Sequence, residues 1–238
     1  MGELRDVWVY LSATPLLHLT LTLVAFQAAS WLYEKGGRNP ILNPVLLSVL
    51  TLVGLLVATG TPYGDYFEGA QFVHFLLGPA TVALAIPLYR QFDRVRRAAL
   101  PLLMSLLSGS LTAMGSAVAI AYLMGAGETV LKSLAPKSAT APVAMGITEQ
   151  LGGLPSLTAV LVICTGILGA MVGPFLLMRL KITDEAAQGV ALGTTSHGIG
   201  TARALQMSET AGAFSGLAMG LNALATAILL PILWAFLF

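Results

Sequence analysis

The stretch Gly193–Ala204, GTTSHGIGTARA, sets hydroxyls, a histidine, an arginine and three glycines between two strongly apolar segments. Such residues are costly in lipid unless they line a cavity or pack on protein. How the chain accommodates them decides its fold.

The surroundings are those of a membrane protein. Of 238 residues, 56% are hydrophobic and 10% charged, against roughly 25% charged in an average soluble domain. Apolar runs reach the roughly 20 residues that span a bilayer. The net charge of +1 gives no basic field for nucleic acid. Cys164 is the single cysteine, so no internal disulfide forms. The start, MGELRDVWVY, carries no cleavage-site pattern, and the first apolar segment is expected to stay in the mature chain.

Seven apolar segments are long enough to cross, or nearly so: 11–33, 41–60, 72–89, 98–124, 154–178, 186–202 and 211–238. An eighth, 136–150, reads PKSATAPVAMGITEQ and holds two prolines, a lysine and a glutamate. As helix it would reach only about 22 Å, short of the roughly 30 Å hydrocarbon core. A re-entrant or broken segment is expected there. The expected fold is therefore an all-α polytopic membrane protein, one domain over 1–238, with about seven transmembrane helices plus that segment.

Basic loops orient such a chain. Lys35, Arg38, Arg90, Arg94, Arg96, Arg97, Arg179 and Lys181 fall on one side of the seven-span arrangement. Arg5, Lys132 and Lys137 fall on the other, with Asp65, Glu68 and Glu209. The expectation is a multi-pass plasma-membrane protein with its N-terminus outside and its C-terminus in the cytoplasm.

Three stretches share a pattern: TVALAIPLYRQ (81–91), TAPVAMGITEQ (140–150) and SHGIGTARALQ (196–206). Each opens on a hydroxyl residue, ends on glutamine, and precedes an apolar segment with a small-residue cluster. Chance in a low-diversity alphabet is one reading; an internal repeat is the other. With seven spans the first and third stretches run in opposite directions, giving inverted repeats over approximately 41–124 and 154–238. In secondary transporters such repeats bring broken helices to the midplane, where substrate binds. Each stretch carries breakers: Gly78-Pro79, then Pro136 and Pro142, then Gly193, Gly198 and Gly200. Pro79 suits the first turn of a half-helix whose free N–H groups, near Ala80 and Thr81, attract an anion.

The candidate site residues each have a plainer reading. Lys137 and Ser138 head the second break; the lysine could anchor a carboxylate or snorkel to the interface. Thr140 could bond substrate or its local backbone. Glu149, the one acid inside a candidate intramembrane segment, is a coupling-ion candidate, or a loop residue if the segment surfaces at Thr148. His197, among Thr195, Ser196 and Gly198, could carry a coupling proton or bond a carbonyl. Arg203, seven residues past Ser196, could pair with a carboxylate or snorkel. Asn222 reads as glue between helices rather than as a ligand. Small-residue stripes such as Gly109, Ala113 and Ala117 fit internal packing or a homo-oligomer interface.

Enzyme motifs fail. TTSHG puts Thr194 where a nucleophile elbow needs glycine, and GIGTAR lacks the last glycine of a dinucleotide turn. Three scattered histidines and one cysteine make no metal pattern. No enzyme activity and no cofactor are expected.

LLGPATVALAIPLY (76–89), PKSATAPVAM (136–145), GGLPSLTAVLVICTGILGAM (152–171) and GVALGTTSHGIGTARAL (189–205) resemble the LrgB/CidB family of bacterial membrane proteins. The resemblance covers nearly the whole chain. It implies a fold like that of sodium–proton antiporters and bile-acid symporters, with crossed discontinuous helices. It also implies two functional pictures. One is an antiholin-like regulator of murein hydrolases and autolysis, acting with a small LrgA/CidA-type partner. The other, through the plant plastid glycolate/glycerate translocator, is a carrier of small carboxylates. Read with the broken helices, the second picture is a secondary transporter of small monocarboxylates of the glycolate, glycerate, pyruvate and lactate class. Proton coupling is expected, with sodium as the alternative. Alternating access would move the broken-helix core against the remaining spans.

Overall fold

The computed structural model describes residues 15–39, 42–76, 79, 82–83 and 85–237. Its described residues are helical throughout, with no strand among them. The chain divides into two compact units, 1–83 and 84–238.

The first unit holds α1 (Pro15–Lys35), α2 (Pro44–Thr59) and α3 (Tyr63–Phe75). Asn43 starts α2: its side chain accepts from the Val45 and Leu46 amides at 2.9 and 3.1 Å, and Pro44 needs no partner for a missing N–H. Gly60, at φ 66°, closes α2 in a left-handed cap. α3 packs on α1 through Gly69, which lies against the Pro15 carbonyl and His18. Tyr66 stands edge-on to His18 with ring centroids 5.8 Å apart and shares a 2.9 Å hydrogen bond with Thr22. The apolar run expected to cross at 72–89 is not one helix. α3 begins nine residues earlier, at Tyr63, and ends at Phe75, ahead of Gly78-Pro79.

The second unit holds α4 (Ala85–Arg90), α5 (Phe92–Arg97), α6 (Ala99–Leu123), α7 (Glu128–Leu134), α8 (Ala141–Leu151), α9 (Pro155–Arg179), α10 (Glu185–Met207) and α11 (Glu209–Leu237). Among the described residues, four helices are long and apolar enough to cross a bilayer: α1, α6, α9 and, over Glu209–Phe236, α11.

α10 is not a crossing. His197 has φ 42° and ψ −134°, which no helix contains, and the chain reverses there. Gly200 lies against the carbonyl of Leu192, and buried Ala204 shares one apolar cluster with Leu192. A straight helix would separate both pairs by more than two turns. The first arm, 185–196, runs beside α11 in parallel, with Gly189 on the Ala211 carbonyl and Gly193 on the Ser215 carbonyl. The second arm, 198–207, returns antiparallel to α11, with Thr201 on Ser215 and Leu205 on Gly212. Ion pairs fix both ends at one face. Arg94 binds Asp184 at 3.3 Å and Arg90 binds Glu209 at 3.0 Å. With arms of about 12 and 10 residues, the hairpin reaches some 15–18 Å, half the hydrocarbon thickness.

The expected crossing at 186–202 is thus corrected to a re-entrant hairpin. Arg179, Glu209 and Arg90 consequently share one face, and α11 carries the C-terminus to the other end of the unit. There Leu230 and Trp234 pack with Met114, Leu131 and Ile147. Within the unit the end of α11 therefore lies away from Arg179 and Lys181, where the seven-span arrangement set the C-terminus beside them.

α7 and α8 form a second hairpin, entering from that other end. Ser133 Oγ accepts from the Leu154 amide at 2.8 Å, and Thr158 Oγ1 donates to the Ser133 carbonyl at 2.9 Å and shares a 2.8 Å bond with Thr148. These bonds hold both arms to the start of α9. The linker 135–140 goes deeper, where Ala139 and Ala144 bury against Val162. The segment 136–150 is broken at the proline-bracketed PKSAT, from which α8 runs back to Leu151.

Candidate functional site

The two hairpin tips meet inside the second unit, each clamped by the same two crossing helices. From α9, the Val162 carbonyl accepts from His197 Nε2 at 2.9 Å while the Val162 side chain packs on Ala139 and Ala144. From α11, Asn222 Nδ2 donates to the Ser138 carbonyl at 3.0 Å and to the Thr194 carbonyl at 3.1 Å. One amide thus bridges the two breaks. A carbonyl only accepts, so His197 carries its proton on Nε2, which leaves Nδ1 to take up another.

Glycines allow this approach. A Cβ at Gly166 would overlap the His197 ring, and one at Gly169 would overlap Ser196 Oγ. Both glycines lie on the face of α9 that meets the hairpin tip, so α9 and α10 approach as small-residue interfaces do in lipid.

The tips present opposite helix ends. Thr140 holds the N-cap position of α8 with no side-chain capping bond and Pro142 sits in the first turn, so the free N–H groups of α8 face the junction. The second arm of α10 begins there too, at Gly198. Such ends favour an anion. The first arm of α10 ends at the junction, and carbonyl ends favour a cation.

The predicted residues divide clearly. Ser138, Ser196 and His197 are buried at the junction. Lys137 Nζ lies 3.3 Å from Ser138 Oγ, at the same tip. Thr140 holds the N-cap position of α8 beside them. Thr195 and Gly198 are exposed at the tip, Thr195 Oγ1 bonding the Ala191 carbonyl at 2.7 Å. Arg203 is not brought in: it lies on the return arm and donates to Gln206 Oε1 at 3.1 Å, towards the basic face. Glu149 is not brought in either; it is exposed in the last turn of α8, at the far end from the tip. Pro79 is an exposed residue of the first unit, and Ala80 and Thr81 lie outside the described residues.

Asn222 was legible only as glue, and its bridge needed the fold to appear. Thr194, Val162 and Gly166 carried no signal beyond their place in apolar or glycine-rich sequence. A groove of about 520 Å³ leads from the basic face, at Ala98 and Asp184, along α6 and the first arm of α10 to Gly109, Thr194 and Thr195. Arg94 stacks over Phe214, which lines it, at 5.9 Å.

Comparisons with known proteins give the chain a family. The chain is 37% identical to the uncharacterized protein YwbG of Bacillus subtilis over 93% of its own length and 98% of that protein's. It is 34% identical to an uncharacterized protein of Haemophilus influenzae over 90% of this chain and 93% of the other. It is 32% identical to the holin-like protein CidB of Staphylococcus aureus over 92% and 95%. No solved structure matches. The model of the LrgB-like family matches residues 22–236, through both hairpins and the helices that clamp them, and this multi-pass membrane protein belongs to that family.

Proposed function

We propose that this protein is a secondary transporter of small monocarboxylates, not an enzyme, working by alternating access. The observation that carries the reading is the meeting of two opposed re-entrant tips at Asn222. Half-helix N-termini at Thr140 and Gly198 face that junction, and Lys137 lies within its reach as countercharge. Ser138, Thr140 and Ser196 supply hydroxyls for the substrate's oxygens, and the groove along α6 offers a way in from the basic face. His197 Nδ1 is the proton carrier in this reading; Glu149 and Arg203 drop out because they lie away from the tips. The pairing of α6 and the α7–α8 hairpin with α9 and the α10 hairpin, run in opposite directions, supports an inverted repeat of the antiporter and bile-acid symporter kind, over 99–151 and 155–207 rather than the 41–124 and 154–238 read from the sequence. By the positive-inside rule the face with Arg90, Arg94, Arg179 and Lys181 is cytoplasmic and the C-terminus is outside.

The holin-like name of the CidB relatives is in keeping with the second reading, an antiholin-like regulator of murein hydrolase activity acting with a small LrgA/CidA-type partner. That role has no evident use for a polar midplane junction. Purified protein in liposomes separates the two. The transporter reading expects uptake of labelled glycolate, glycerate, pyruvate or lactate, and His197→Ala should flatten its pH dependence. Absence of uptake of all four, with and without a pH gradient, sinks it.

A further inference from the structure

The groove of about 520 Å³ between α6 and the first arm of α10 has an apolar body and a charged mouth. Pro101, Leu102, Ala187, Val190 and Phe214 supply its walls and floor. Small residues make the room: Ala98 and Gly109 on the α6 side, Ala186 and Ala191 on the α10 side. From Ala98 to Gly109 the groove follows α6 for about 16 Å. That is the depth of one leaflet, half of the roughly 30 Å hydrocarbon core.

Arg94 stands at the mouth. It pairs at 3.3 Å with Asp184, which lines the groove, and its guanidinium lies 5.9 Å from the centre of the Phe214 ring. Both side chains of that pair are largely exposed, so a phosphate can take the place of the carboxylate. Arg96 and Arg97, on the same short helix, are exposed and make no ion pair among the described residues. Ala98, next in the chain, already lines the groove. A second groove, of about 410 Å³ between α6 and α11, lies at the other end of the unit. Met114, Val118, Tyr122 and Trp234 make it equally apolar, but among the described residues no lysine or arginine lines it. An apolar trough alone takes any acyl chain. A trough one leaflet deep, with guanidinium at its mouth, selects a chain that carries an anionic head.

We infer that this groove binds an anionic phospholipid of the leaflet at the basic face, with one acyl chain lying between α6 and α10 and the phosphate held by Arg94. The lipid site stands on the groove and its mouth. An acyl chain in the groove and a carboxylate passing along it exclude one another, and that consequence alone rests on the transporter reading.

Photocrosslinking tests it. The full-length protein is placed in phosphatidylcholine vesicles doped with a phosphatidylglycerol that carries a diazirine on one acyl chain; the same probe with a choline head is the comparison. Crosslinks are expected within 98–109 and 184–195, with a preference of about fivefold for the glycerol head, the effect of one cationic side chain at an anionic lipid surface. Arg94→Gln should abolish that preference. Asp184→Asn keeps a capping side chain and frees Arg94, so it should raise the preference. A purely structural role for the pair would move both variants the same way and overturns the headgroup site. Ala187→Leu fills the trough from an exposed position and should remove the groove crosslinks of both probes, whereas Ala119→Leu in the other groove should leave them unchanged. Equal crosslinking by the two heads overturns the inference. So does a wild-type protein without crosslinks in the groove, which leaves the trough to a protein segment such as a second copy of the chain. Carboxylate uptake is read in separate vesicles. Its absence, with the groove crosslinks intact, fails the transporter reading alone.

Discussion

His197 combines two features that rarely share a residue. Its φ of 42° with ψ −134° lies where glycine is at ease and a side chain is strained, at about 1–3 kcal/mol. Its ring is nonetheless buried and bonded to Val162. A residue kept against strain at a functional break implies that the ring is wanted. This separates two substitutions. His197→Ala loses the bond and keeps the strain; His197→Gly loses the bond and relieves it. His197→Gly should therefore be more stable than His197→Ala by about 1–2 kcal/mol, read from unfolding in detergent. Equal stability would mean that the backbone there relaxes. Asn222 answers to the same scale. Asn222→Leu leaves two buried carbonyls without their donor and should cost about 1–2 kcal/mol. Thr226→Val, one turn on and equally buried, should cost less, because Thr226 bridges neither tip.

The hairpin is the element-scale finding. Part of it was legible: GTTSHGIGTARA is too rich in breakers and hydroxyls to be an ordinary span. TAPVAMGITEQ and SHGIGTARALQ also share an ending and an opening type. Both turn out to be return arms, running from a tip at Thr140 or Ser196 to a face at Gln150 or Gln206. What periodicity could not supply was the reversal. The hydropathy of 186–202 is the same whether the chain goes through or turns back; one backbone torsion at His197 decides it. Glu185→Cys and Ser208→Cys, each in a Cys164→Ser background, check this. An impermeant maleimide should label both from one side of the membrane. Labelling from opposite sides would restore the crossing.

At the scale of the second unit, the reversal redistributes charge and chain ends. Glu209 joins Arg90 instead of lying across the membrane from it. These exposed ion pairs report position rather than stability, since surface pairs contribute little. The consequence, within this unit, is that α6, α9 and α11 are its candidate spans and that α11 ends at the opposite end from Arg179. A reporter fused after Phe238 and one inserted after Lys181 should read opposite sides of the membrane. Reporters on the same side would mean that α10 crosses.

Composition and apolar run length determined, by themselves, that this chain lives in lipid, that it is helical, and where five of its seven long segments lie to within a few residues. That follows because a bilayer leaves the backbone few options, and length sets the option taken. Breakers and polar residues in PKSAT and GTTSHGIG marked where the helices fail. Only the tertiary structure decided which way the chain leaves each break, and that two breaks sharing no sequence contact meet on one amide of α11. Those outcomes rest on long-range packing: glycines on α9 that admit a hairpin tip, glycines on the first arm of α10 that let it lie on α11, and an asparagine whose two donors reach carbonyls 84 and 28 residues away. No local pattern encodes such distances.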